Sequence, residues 1–93
     1  MACKRTTTSR AAAHEAARLH AAGDAIGWVN CLHAAAALSP RSATHAVDLG
    51  RGYEAVGQLE TAVTHFTHAA QLHPAWHRAY FQLGHAYGRL QQL

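Results

Sequence analysis

Nine histidines stand among 93 residues: His14, His20, His33, His45, His65, His68, His73, His77 and His85. Helical metal sites use pairs at i,i+3 or i,i+4, as in the zinc motifs. His65 and His68 have that spacing. His73 and His77 have it too, but Pro74 breaks the helix between them. A pair supplies two ligands, whereas a stable zinc site takes three or four. No H-E-x-x-H occurs, and no cysteines lie at ligand spacing. The histidines therefore read mainly as surface polar groups, no metal or other cofactor is expected, and His65 and His68 stand only as weak candidates. As a set, histidines gain charge near pH 6, which raises the net charge and favours acidic ligands.

Other reactive groups form no catalytic set. Cys31 has His33 two residues away, which puts the two on different helix faces. Glu54 and Glu60 are the nearest approach to paired carboxylates, and they read as solvated helix ends. No Ser-His-Asp pattern and no phosphate-loop glycine motif is present, so an enzyme is not expected. Cys3 and Cys31 make no disulfide framework on this reading. Cys3 falls in a tail and Cys31 reads as a small buried hydrophobe. That usage fits a reducing compartment, and a cytoplasmic chain is expected.

The balance of charge points away from nucleic acid and membrane. Lys and Arg total eight against five acids, a formal net charge of +3, and Lys4, Arg5 and Arg10 crowd the first ten residues. The remainder is near neutral, without the basic stripe that polyanion binding requires. No apolar run reaches the 18 residues of a membrane span. With 49% hydrophobic and 14% charged residues, the chain has the composition of a folded domain.

Stop and start signals cut the chain into five helices. Residues 1–8 lack periodicity and read as a flexible lead. Thr8 or Ser9 can cap a first helix that ends before Gly23. Asp24 caps a second, from Ala25 to Leu38, broken by Ser39-Pro40. Ser42 caps a third, from Ala43 to Val56, and Gly57 ends it. The fourth covers Leu59 to Leu72, and the fifth starts near Ala75 or Trp76 and reaches Gln91. Leu49, Tyr53 and Val56 share one face of the third helix. Ala62, Phe66, Ala69 and Ala70 share one face of the fourth. Gly50 falls where a side chain would hold these helices apart.

The signals recur every 34 residues. Gly23 returns as Gly57, Leu38 as Leu72, Pro40 as Pro74, Leu49-Gly50 as Leu83-Gly84 and Tyr53 as Tyr87. The second unit reads Ala46-x2-Leu49-Gly50-x2-Tyr53, then Ala62-x3-Phe66, then Pro74; the third opens Tyr80-x2-Leu83-Gly84-x2-Tyr87. This resembles the tetratricopeptide repeat, W-x2-L-G-x2-Y, A-x3-F, P over 34 residues. The first unit departs from it, with Ala12, Glu15-Ala16 and Leu19 at the signature positions and Trp28 where a small residue is expected. The resemblance covers residues 9–93, as repeats of about 9–42 and 43–76 and a partial 77–93.

The resemblance implies an all-α, right-handed superhelix of five antiparallel helices. It also implies a protein-interaction scaffold or adaptor that holds a peptide or helix of a partner protein in a concave groove. By position, that groove would show Arg10, His14 and Ala17, then Val47, Asp48, Arg51 and Glu54. Arg78, Phe81, Gln82, His85 and Arg89 would follow. Its floor carries mixed charge, basic toward the C-terminal end, with Phe81 as an aromatic anchor. The Lys and Asn pattern with which some relatives clamp chaperone tails is absent: Ala13, Ala17, Arg51 and Gln82 interrupt it. The fifth helix has a stripe of Leu83, Tyr87 and Leu90, flanked by Ala79 and Ala86, that would normally meet another helix. Self-association through this stripe, giving a homo-dimer, is the alternative function. A His-rich metal-binding protein ranks third.

Overall fold

The computed structural model describes Cys3 and residues 8–92. Apart from Cys3 and Thr8, the expected flexible lead lies outside the described residues. The architecture is all-α, with no strand among the described residues: α1 (Ser9–Ala21), α2 (Ala25–Leu38), α3 (Ala43–Ala55), α4 (Leu59–Leu72) and α5 (His77–Gln91). The helix starts repeat at a 34-residue offset, α1 with α3 with α5 and α2 with α4. Each helix packs against its neighbours in the chain, and α3 also touches α5.

The ends obey the sequence signals. Thr8, Asp24 and Ser42 each accept a hydrogen bond from a first-turn amide, those of Ala11, Gly27 and His45. Gly23 and Gly57 take φ of 82° and 86°, the left-handed region where glycine is favoured. There the Asp24 amide donates to Leu19 O and the Gln58 amide to Tyr53 O, closing the same C-terminal motif twice. The turns at Pro40 and Pro74 are matched as well: the Ser42 amide donates to Ser39 O and the Trp76 amide to His73 O. Two ends differ from expectation. α5 begins at His77, without a side-chain cap. Val56 falls past the end of α3 and is exposed instead of lining the interior.

Small side chains dominate the contacts. One cluster gathers Ala46, Val47, Ala62, Phe66, Ala69, Ala70, Ala79 and Ala86; the other gathers Ala12, Ala16, Cys31, Leu32, Ala35 and Leu49 with Cys3. Tyr53 packs against both and joins them. Phe66 is the largest fully buried side chain, and it lies over Gly50. A Cβ built on Gly50 would meet the Phe66 ring at 2.5 Å. Gly84, one repeat later, has nothing within 4 Å of such a Cβ. In the departing first unit Glu15 is 7% exposed where Leu49 is 3% exposed one repeat on. Arg18 neutralises it through a bidentate pair, Nε to Oε1 at 2.8 Å and Nη2 to Oε2 at 2.7 Å.

The cysteines correct the sequence reading. Cys3 and Cys31 form a disulfide across 28 residues of chain, with Cα atoms 4.7 Å apart. Cys3 is thus buried on α2 and is no part of a loose tail, and Cys31 is a bonded half-cystine. The bond matters because an alanine core buries little area per residue and a chain of this size has a thin stability margin.

Two measurements follow. Gly50→Ala should cost about 1–3 kcal/mol by forcing Phe66 aside, while Gly84→Ala should cost nothing or gain up to about 1 kcal/mol in helix propensity. Equal effects in thermal melts would contradict the Phe66 seat. Reduction of the disulfide should cost about 3 kcal/mol and lower the melting midpoint by on the order of 10 °C. An unchanged midpoint in reductant would show that the bond carries no stability.

Candidate functional site

Polar residues run along one face of α3 and one face of α5. On α5, Arg78, Gln82, His85 and Arg89 follow at i, i+4, i+7 and i+11, a spacing that keeps them on one face. On α3, Asp48, Arg51 and Glu54 follow at steps of three. The two helices are tied by a charge cluster. Glu54, almost wholly buried, accepts from His85 Nδ1 at 2.9 Å and lies 3.6 Å from Arg89 Nη1. A buried carboxylate needs such partners, because burial without them costs several kcal/mol.

Between α1, α2 and α3 lies a recess of about 180 Å³. Ala13 and Ala17 leave its α1 wall open, Asp48 and Arg51 form the α3 wall, and His20 and Trp28 close the third side. Those two rings stack with centroids 4.0 Å apart. Trp28, out of place by the repeat pattern, is accommodated half-buried against the core and the His20 ring. Burial pushes the Asp48 carboxyl above its ordinary range, and Arg51, His45 and Arg78 partly offset the shift.

The expected groove residues fall into three groups. Asp48 and Arg51 line the recess, and Arg78 is near enough to act on Asp48. Glu54, His85 and Arg89 form the cluster between α3 and α5. Arg10, His14 and Phe81 are exposed, Phe81 at 71%, and Gln82 is half-buried. Val47 is a correction: it is 1% exposed, inside the core, and cannot reach a ligand. In the stripe of α5, Leu83 packs on the core, Tyr87 is 49% exposed and Leu90 is half-buried beside Leu59. Ala79 and Ala86 are fully buried and do not flank an open stripe. The exposed large apolar side chains of α5 are aromatic instead: Tyr80 and Tyr87, which share a face at i,i+7, and Phe81, about 100° further round the helix.

Sequence reasoning missed the His20–Trp28 stack and the nearness of His33 to His65 and His68. Its one available signal for the stack was the bulk of Trp28 at a small-residue position. Among the described residues no group of three or more His, Cys, Asp or Glu is arranged to hold a metal ion. His68 shares a hydrogen bond with Pro40 O at 3.3 Å, and the His65 ring stacks on Tyr53 with centroids 5.2 Å apart. Among the described residues no helix is long and apolar enough to cross a membrane.

No protein-family profile matches the chain, and no characterised protein matches it as a relative. The site must be judged on its chemistry. The surface offers exposed guanidinium groups, a small-walled recess and the bare Phe81 ring, while Glu15 and Glu54 are paired inside the protein.

Glu54→Gln should loosen α5 by weakening its cluster with His85 and Arg89. Hydrogen exchange should accelerate at least threefold in the amides of the second half of α5 and stay unchanged in α1. Uniform acceleration, or none, would deny the cluster a local role.

Proposed function

We propose that the chain is a tetratricopeptide-repeat-like protein-interaction module. On this reading the five helices wind as a right-handed superhelix, and α1, α3 and α5 offer their common side to a peptide or helix of a partner protein. It acts as a scaffold or adaptor and performs no chemistry of its own. The observation that carries this reading is the 34-residue recurrence of helix starts, caps and left-handed glycines. A repeat in this size range is the mark of stacked helical hairpins. The preferred ligand is acidic with an apolar residue. Arg51 and Arg78 supply positive charge, whereas Glu54 is already paired with His85 and Arg89 and the Asp48 carboxylate is disfavoured by burial. The Ala13–Ala17 recess and Phe81 supply apolar contact. Nucleic acid and membrane are not proposed as partners.

A second reading, self-assembly, is favoured by one observation. Tyr80 and Tyr87, seven residues apart, expose large rings on one face of α5, and exposed apolar faces mark interaction surfaces. A homo-dimer through α5 would cover them. A concentration-independent monomer in sedimentation would remove this reading. For the compartment, the Cys3–Cys31 disulfide supports an oxidising setting over the cytoplasmic one that cysteine usage suggested.

The test uses peptides selected from a random display library on the intact chain. The selected peptides should be acidic with an aliphatic or aromatic residue. Arg51→Ala and Phe81→Ala should each weaken them at least tenfold without lowering the melting midpoint. Unchanged affinity in both variants would contradict the proposed surface.

A further inference from the structure

A second recess, sharing no lining residue with the first, opens between α2, α3 and α4, with a volume of about 200 Å³. Its apolar lining includes Ala36 from α2 and Ala46 and Leu49 from α3. Three histidines line it as well, His33 from α2 and His65 and His68 from α4, with His33 and His68 close enough to His65 to act on it. No Asp or Glu lines it. We propose that this cleft binds small carboxylates that carry an apolar group, the carboxylate meeting the histidines and the apolar group lying on the alanine–leucine floor.

Size, charge and orientation support the assignment. An apolar cavity of about 150 Å³ holds a benzene ring, so this cleft takes a phenyl group with a short acidic arm. Three imidazoles with no acid among them offer N–H donors and no competing negative charge, and an anion is the complementary ligand. Two of the rings are held in place. His65 stacks on Tyr53, and His68 shares a hydrogen bond with Pro40 O. A metal is not the expected occupant, because among the described residues no three ligands are arranged for one.

The pH dependence has a definite sign. Burial lowers the pKa of His65, and the nearby His33 and His68 lower it further. The groups facing His65 are thus His33 from α2, Tyr53 from α3 and His68 from its own helix, none of them a compensating anion. A bound carboxylate supplies the missing charge, favours imidazolium and takes up a proton on binding. Affinity therefore rises as pH falls.

The probe is phenylacetate, followed by the histidine ring resonances of the intact, disulfide-bonded chain. At pH 6 the His33 and His65 signals should shift saturably, with a Kd on the order of 1 mM. Binding should be at least tenfold weaker at pH 8, and benzyl alcohol at pH 6 should be at least tenfold weaker than phenylacetate. His33→Gln, at an exposed position, should weaken phenylacetate at least fivefold with an unchanged melting midpoint. His65→Gln should weaken phenylacetate likewise and also flatten the pH dependence. Absence of a saturable shift overturns the proposal, as do equal binding of benzyl alcohol, equal affinity at pH 6 and pH 8, and shifts confined to His20.

Discussion

The close approach of α3 to α4 governs the rest of the molecule. The faces that meet are rich in alanine and glycine, with Phe66 as the largest side chain fully inside. Alanine contacts yield little transfer energy each, so helices must come near to gain dispersion over many atoms. Gly50 makes that distance possible by leaving room for the Phe66 ring. Once α3 is fixed on α4, Tyr53 is placed against both clusters and Glu54 is turned toward α5. The disulfide performs a comparable service for the first unit, where Glu15 replaces a leucine and weakens the core.

Much of this was legible in the chain. Caps, left-handed glycines and proline turns are local signals, governed by a few neighbouring residues, and they located the helix ends almost to the residue. The interior of α4 was legible for the same reason, since a 3.6-residue period needs no tertiary information. What was not legible depends on contacts between distant segments. Cys3 has no periodic context and lies 28 residues from its partner, so nothing local announces the bond. Val47 and Asp48 are adjacent, and only the packing of α5 and α4 decides which is buried. The convergence of His33 on His65 depends on how α2 and α4 sit on α3, which no spacing encodes.

Two recesses with different chemistry result from one packing scheme. The recess walled by α1 and α3 combines small side chains with one arginine, Arg51, and a half-buried acid, Asp48. The cleft between α2 and α4 combines small side chains with imidazoles and no acid. Both exist because alanine at the helix contacts leaves volume that larger residues would fill. A chain built on alanine thus gives up core area and gains recesses on its surface, with a disulfide offsetting the loss.

The most direct test of this account is a double-mutant cycle between Gly50 and Phe66, measured as unfolding free energies. If the ring occupies the space that the missing Cβ leaves, Phe66→Leu should relieve much of the cost of Gly50→Ala. The two changes should then couple by about 1 kcal/mol or more. Strictly additive costs would mean that Phe66 does not rest on Gly50, and the packing from which both recesses are derived would be wrong.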